Sequence, residues 1–146
     1  MFRTAYRITG NAADAEDVLQ AIFLRLLGRG QQSDPIENVE SYLRRSAINA
    51  ALDVVRQRQD ARNISLVGQE SLPARTPADV REGLRRALAA LNPRSAEIFA
   101  LRFFEGHTNP EIARMLGMSQ VHVAVLLHRT RKQLQKEIRS YSGVKS

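Results

Sequence analysis

The sequence contains no cysteine and only three histidines. A chain without cysteine has neither a disulfide framework nor a thiolate metal site. His107, His122 and His128 have no carboxylate or cysteine cluster beside them in the sequence, so a metal enzyme is not expected. No motif combines an acid, a base and a nucleophile. The sequence therefore predicts a protein that is not an enzyme and that needs no metal or cofactor.

Long apolar runs and strand patterns are also scarce. No run approaches the roughly 20 residues that span a bilayer, and the N-terminus lacks the order of regions typical of a signal peptide. We therefore expect a cytoplasmic protein with no membrane partner. Helical periodicity recurs along the chain, which predicts an all-α fold. A chain of 146 residues can form one domain or two small ones, and each small domain would have a thin core that a partner completes.

A break in the helical pattern divides the chain in two. The periodicity fades after Gln57, and glycine and proline appear, as is typical of a flexible linker. We predict a helical domain over residues 1–60, a linker over 61–76 and a four-helix unit over 77–146. Residues 1–60 carry eight basic and eight acidic residues, and the rest of the chain carries fourteen and seven. The basic excess favours a polyanionic partner for the second half, although it can also serve only solubility.

The most specific motif is a helix-turn-helix that begins at Thr108. Thr108 can cap the first helix, Glu111 can complete a capping box, and Pro110 suits a first helical turn. Gly117 can supply the positive φ that ends this helix, and Ser119 can cap the next. A short helix, a tight turn and a long helix with a basic end are typical of a major-groove reader. The alternative is a helical corner packed for stability alone.

The second predicted helix carries a strip suited to a protein partner. Asp14 begins an acidic first turn, and Asp17 and Gln20 lie on a neighbouring face with Leu24 one turn beyond. A mixed polar and apolar strip of this kind can bind a partner helix. The alternative is a group of acids that only complement the helix dipole.

The third predicted helix, which we expect to end near Gln59, carries residues suited to nucleic acid. They are Tyr42, Arg44, Arg45, Asn49, Asp53 and Arg56. Arginine can neutralise a phosphate, asparagine can hydrogen-bond a base edge, and tyrosine can stack on a base. The spacing places Asn49, Asp53 and Arg56 on one face. They can equally form structural pairs with one another, and both interpretations stay open.

These motifs occur in an order that resembles one protein family. The order is Asp14-Ala15-Glu16-Asp17-Val18-Leu19-Gln20 with Phe23, then Tyr42-Leu43, then Asn49, Asp53 and Arg56, then Leu91-Asn92-Pro93, and finally the helix-turn-helix with Leu127-His128-Arg129-Thr130-Arg131. Together they resemble the extracytoplasmic-function (ECF) group of bacterial sigma-70 family factors over nearly the whole chain. The alternative is a free-standing helix-turn-helix regulator, which would not need the two N-terminal motifs.

The resemblance implies partners and site residues. The partners are core RNA polymerase, through the clamp helices of its largest subunit and the flap of the second largest, promoter DNA, and an anti-sigma factor. The resemblance assigns polymerase binding to Asp14, Asp17, Gln20, Phe23 and Leu24. It assigns the minus-ten promoter element to Tyr42, Arg44, Arg45, Asn49, Asp53 and Arg56. It assigns the minus-thirty-five element to Ser119, Gln120, His122, His128, Arg129, Arg131 and Lys132.

The sequence departs from the family pattern in its recognition helix. Ala124, Val125 and Leu126 stand where relatives usually have polar or charged residues. Val121, Ala124, Val125 and His128 share one face, which would present methyl groups to the groove. The open interpretations are methyl contacts with thymine, an apolar patch covered by another protein, or weakened promoter reading.

Two further departures concern the N-terminal half. Ala21 follows Gln20 where the family usually has an acid, which predicts a weaker polymerase contact. The chain also begins close to the end of the family's first helix, so either the true start lies upstream or the first domain lacks part of its core. We expect this deficit to expose Phe2, Tyr6 and Ile8.

Overall fold

The computed structural model describes residues 1–29, 38–65 and 77–142, and the regular structure in these ranges is helical throughout. The all-α prediction is confirmed there. The seven helices of the described ranges are α1 (Phe2–Thr9), α2 (Ala12–Arg29), α3 (Val39–Ser65), α4 (Pro77–Ala90), α5 (Pro93–Phe103), α6 (Asn109–Leu116) and α7 (Gln120–Ser142). In these ranges no helix is both long enough and apolar enough to cross a membrane.

Asparagine side chains mark where three of the helices begin. The side-chain oxygens of Asn11, Asn38 and Asn92 accept backbone N–H groups in the first turns of α2, α3 and α5, at 3.2, 3.0 and 2.9 Å. Each bond satisfies a donor that has no partner within the helix. Pro93 follows as the first residue of α5, where its missing N–H costs nothing. Gly10 ends α1 with φ of 71°, a conformation that glycine adopts without strain.

The two halves of the chain share one apolar core. Helix α3 packs against α1 and α2 on one side and against α4 and α5 on the other. The largest fully buried side chains come from both halves: Ile8, Val18, Ile22, Ile48 and Leu52 from the first, and Leu88, Ile98, Leu101, Ile112 and Val123 from the second. Each half therefore completes the thin core of the other.

Helix α3 is longer than the sequence pattern predicts. It continues past Gln59 to Ser65, so the first five residues of the predicted linker are helical. The remainder of that linker, residues 66–76, lies outside the described residues. The sequence contains no glycine or proline between Val39 and Val67 to end the helix earlier. Buried Gln59 also fixes this part of α3, since it donates to the Glu82 carboxylate and accepts from Arg86, both at 3.0 Å.

The N-terminal residues confirm two expectations and correct a third. Phe2 and Tyr6 are exposed, as expected, and their rings stack on one another. Ile8 is fully buried, so the prediction that it would be exposed was wrong. The reason is its position on α1, because Ile8 lies with Ala5 on the face that packs against α2 and α3.

Candidate nucleic-acid interface

A row of exposed residues follows one face of α2. Asp17, Gln20, Phe23, Leu24 and Leu27 recur at the spacing of a single helical face, and we call them the α2 strip. Phe23, Leu24 and Leu27 are 60%, 69% and 78% exposed. The opposite face of α2 contributes to the core, so the helix is held in place while this strip stays open to a partner. Contiguous exposed apolar residues of this kind are typical of protein interaction sites.

Asp14 lies apart from the α2 strip. It is buried, and its carboxylate oxygens lie 2.7 Å from two guanidinium nitrogens of Arg58 on α3. A buried charge is tolerated when it is paired in this way. The Asp14 side chain therefore ties the start of α2 to α3.

The middle of α3 contacts α5 through charged side chains. Glu97 on α5 accepts from Arg45 Nε at 3.1 Å and from Arg45 Nη2 at 3.3 Å. It also accepts from Asn49 Nδ2 at 2.6 Å. Glu97 is only 3% exposed. Two residues expected to contact DNA are therefore held by a carboxylate of the other half.

Arg44 also reaches the other half, at the entrance to α6. Its guanidinium pairs with Glu40 and donates to His107 Nε2 at 2.9 Å. Because Nε2 accepts, His107 Nδ1 carries the proton and donates to Glu111 at 3.0 Å. The hydrogen bond from His107, with others from Thr108, holds the pKa of Glu111 below its ordinary value.

Two further polar residues of α3 pair with each other, and a third lines a cleft. Arg56 donates to Asp53 at 3.2 Å, so these two form the structural pair that the spacing allowed. Tyr42 is half-buried and lines an open cleft between α3 and α6, with a volume of about 740 Å³, together with Arg44, Arg45 and Arg114. The cleft brings basic side chains of both halves together.

The helix-turn-helix forms as the sequence predicts. Thr108 Oγ1 accepts the backbone N–H of Glu111 at 3.3 Å, and the Glu111 carboxylate in turn accepts from the Thr108 hydroxyl at 3.0 Å. Gly117 ends α6 with φ of 66°. Ser119 caps α7 by accepting the backbone N–H of His122 at 3.1 Å. Ile112 on α6 and Val123 and Leu127 on α7 are buried together in the core.

Helix α7 presents the apolar face that the sequence predicts. Val121, Ala124, Val125 and His128 are exposed together, and we call them the α7 face. Val121 is 74% exposed and Val125 is 40% exposed. Leu126 is turned away from the α7 face and packs against the core, so only part of the apolar segment points outward.

Polar and basic residues surround the α7 face. The exposed ones are Ser119, Gln120, His122, Arg129, Arg131 and Lys132. Arg131 differs from the rest because its guanidinium lies 4.8 Å from the centre of the Phe103 ring, a cation–π contact. Phe103 therefore restricts one of the expected phosphate ligands.

Comparison with known proteins matches both halves of the chain. A family model described as Sigma-70 region 2 matches residues 1–61, and one described as Sigma-70, region 4 matches residues 81–134. The ECF RNA polymerase sigma factor SigE of Mycolicibacterium smegmatis is 34% identical over 98% of this chain and 59% of its own length. The RNA polymerase sigma-E factor of Streptomyces coelicolor is 31% identical over 94% of this chain and 79% of its own length. The chain belongs to the ECF group of the sigma-70 family.

A solved structure shares the fold of this sigma factor. It is the sigma factor RpoE from Bartonella quintana, crystallised with the anti-sigma factor NepR. It aligns with a TM-score of 0.53 and 19% identity over 94% of this chain and 89% of its own. The alternative of a free-standing helix-turn-helix regulator is not favoured, because the N-terminal half matches sigma region 2.

Sequence reasoning missed two residues of the sigma factor's candidate site. Leu27 follows Leu24 by three residues and Gln20 by seven, so helical spacing alone would have added it to the α2 strip. Glu97 had no such signal, since its partners Arg45 and Asn49 lie 52 and 48 residues earlier. Across the described ranges, no group of three or more potential ligands is arranged to hold a metal ion.

Proposed function

We propose that this sigma factor binds core RNA polymerase through the α2 strip and directs the enzyme to promoter DNA in the cytoplasm, without catalysing a reaction itself. The exposure of the α2 strip is the observation that carries the proposal. Three large apolar side chains lie open beside Asp17 and Gln20 on a helix whose other face is buried. Such a strip matches a partner helix, and the family resemblance assigns it to the clamp helices of the largest polymerase subunit.

The N-terminal unit, residues 1–60, would bind the minus-ten element through α3. Arg44 and Arg45 are the proposed phosphate ligands, and Asn49 and Tyr42 the proposed base contacts. The Asp53–Arg56 pair supports a structural role for those two residues. Asp14 would act in the same way, by holding α2 on α3 rather than touching polymerase.

The C-terminal unit, residues 77–146, would bind the minus-thirty-five element through α7. The basic residues around the α7 face would contact phosphates, and Gln120, His122 and His128 supply the polar groups nearest to bases. Family resemblance adds the flap of the second largest polymerase subunit and an anti-sigma factor as partners of the full protein.

A pull-down of core polymerase by the purified full chain tests the proposal. We expect stoichiometric capture, followed by transcription from a subset of promoters in a genomic template library. A chain that captures no polymerase but shifts duplex DNA by itself would overturn the proposal and favour a free-standing regulator.

A further inference from the structure

The Glu97 carboxylate is buried where the two halves of the sigma factor meet. It belongs to α5, yet its hydrogen bonds in the described part of the chain come from α3. Two of them come from the guanidinium of Arg45 and one from the amide of Asn49. A carboxylate with so little exposure depends on these donors, because water does not replace them.

The contacts of Glu97 resemble those of a nucleic-acid phosphate. Carboxylates and phosphates both bind guanidinium through paired N–H donors of the same fork. Arg45 and Asn49 are the residues proposed above for the minus-ten element. An N–H donor of Arg45 that points at Glu97 is not available to a DNA phosphate. Arg44 is also engaged within the fold, since its guanidinium donates to His107 Nε2 at 2.9 Å and pairs with Glu40.

We propose that Glu97 competes with promoter DNA for Arg45 and Asn49, so that the packing of α5 on α3 excludes the minus-ten element. The proposal rests on the proposed function of α3. It makes Glu97 an internal substitute for a DNA phosphate. Promoter DNA binds α3 only when the two halves of the chain separate and Glu97 releases Arg45 and Asn49.

The same arrangement leaves the polymerase-binding surface open. Leu24 and Leu27 of the α2 strip are 69% and 78% exposed while Glu97 holds Arg45 and Asn49 of α3. Polymerase can therefore dock first, and the minus-ten element binds only after the contact between α3 and α5 is broken. Any partner that binds the separated halves better than the packed ones shifts the equilibrium toward DNA binding.

Replacing Glu97 with Gln tests the competition in the full chain. The substitution keeps the shape of the side chain and removes its charge. The probe is a short fluorescein-labelled single-stranded DNA of mixed sequence, followed by anisotropy without polymerase. We expect Glu97→Gln to bind about tenfold more tightly than the wild type, the scale of one charge-assisted hydrogen bond. Adding Arg45→Ala to the variant should abolish the gain.

Glu16→Gln is the matched control for net charge. Glu16 is an exposed residue of α2 that also loses one negative charge on substitution. It should strengthen DNA binding far less than Glu97→Gln. A Glu97→Gln gain no larger than that of Glu16→Gln, or one that persists without Arg45, overturns the proposal.

A second measurement separates competition from a structural role. Because the chain has no cysteine, the substitutions Arg3→Cys on α1 and Gln135→Cys on α7 provide the only two attachment sites for a donor dye and an acceptor dye. Energy transfer should fall as single-stranded DNA is added, at about tenfold lower DNA concentration in Glu97→Gln. Equal midpoints in the two proteins overturn the proposal. If Glu97→Gln does not fold, Glu97→Asp, which keeps the charge but shortens the side chain, should give a midpoint at a lower DNA concentration than the wild type, and an unchanged midpoint overturns the proposal.

Polymerase assays keep the two proposals distinguishable. Failure of the wild-type chain to capture polymerase rejects the proposed function, while the Glu97 and Arg45 variants still decide the competition. Normal polymerase capture with unchanged DNA binding in Glu97→Gln rejects the competition alone.

Discussion

Truncating both leucines of the α2 strip gives the sharpest test of polymerase docking. Fully burying a leucine side chain contributes about 1.5–3 kcal/mol. Leu24 and Leu27 are 69% and 78% exposed, so docking can still bury most of each. Alanine retains part of that gain. The double variant Leu24→Ala/Leu27→Ala should therefore lose about 2–3 kcal/mol of binding free energy, or about 30- to 150-fold in Kd.

The same substitutions should leave the fold unchanged. Both side chains lie outside the core, and alanine has the highest helix propensity. Thermal unfolding followed by circular dichroism should give the wild-type midpoint. Val80→Ala on α4 is a matched control, because Val80 is another exposed apolar residue far from the α2 strip in sequence.

The assay is a titration of labelled full chain with core polymerase. A Kd within twofold of the wild type would refute the assignment of the α2 strip. So would an equal loss of affinity in Val80→Ala, which would mean that any exposed apolar residue contributes.

Four further predictions follow from the described contacts. Asp17→Ala/Gln20→Ala should weaken polymerase binding by about 1–3 kcal/mol with unchanged helix content, and unaltered affinity would reject the polar half of the α2 strip. Asp14→Ala should lower the thermal midpoint, because it leaves Arg58 without its partner, while sparing polymerase affinity per folded molecule; an unchanged midpoint would contradict this. The full chain should bind duplex DNA from a random pool with little base preference, because the α7 face is apolar, and with a steep salt dependence, because Arg129, Arg131 and Lys132 would contact phosphates; one sharp motif would instead favour methyl contacts. The pKa of Glu111 is lowered in the folded protein, so its charged form stabilises the fold fully above the ordinary glutamate pKa of about 4.3. The difference in unfolding free energy between the wild type and Glu111→Gln should therefore shrink as the pH falls through the lowered pKa. A difference in unfolding free energy that does not change with pH would exclude this contribution.

Local signals predicted the helix-turn-helix correctly. Thr108, Gly117 and Ser119 act on backbone groups within three or four residues, so their identities are enough to place the ends of α6 and α7. The α2 strip was predictable for the same reason, since helical spacing determines which residues share a face.

Contacts between distant segments were not predictable in this way. The pairing of Arg45 with Glu97 depends on how α5 packs on α3, and neither helix encodes that packing by itself. The contacts of Gln59 with Glu82 and Arg86 of α4 were not predictable either, although the lack of glycine and proline up to Val67 was a local signal for the longer α3. The sequence therefore identified the candidate surfaces, whereas the packing of the helices determines which of these surfaces are exposed to solvent.

The shared core also limits how this protein can be recombined. Ile98 and Leu101 on α5 are buried in a cluster that includes Ile48 and Leu52 of α3. A chimaera that takes its C-terminal half from a relative would place foreign side chains against α3, where a misfit leaves cavities or clashes. The C-terminal half of this chain is therefore not independently exchangeable, and replacing it requires the facing residues of α3 to be replaced as well.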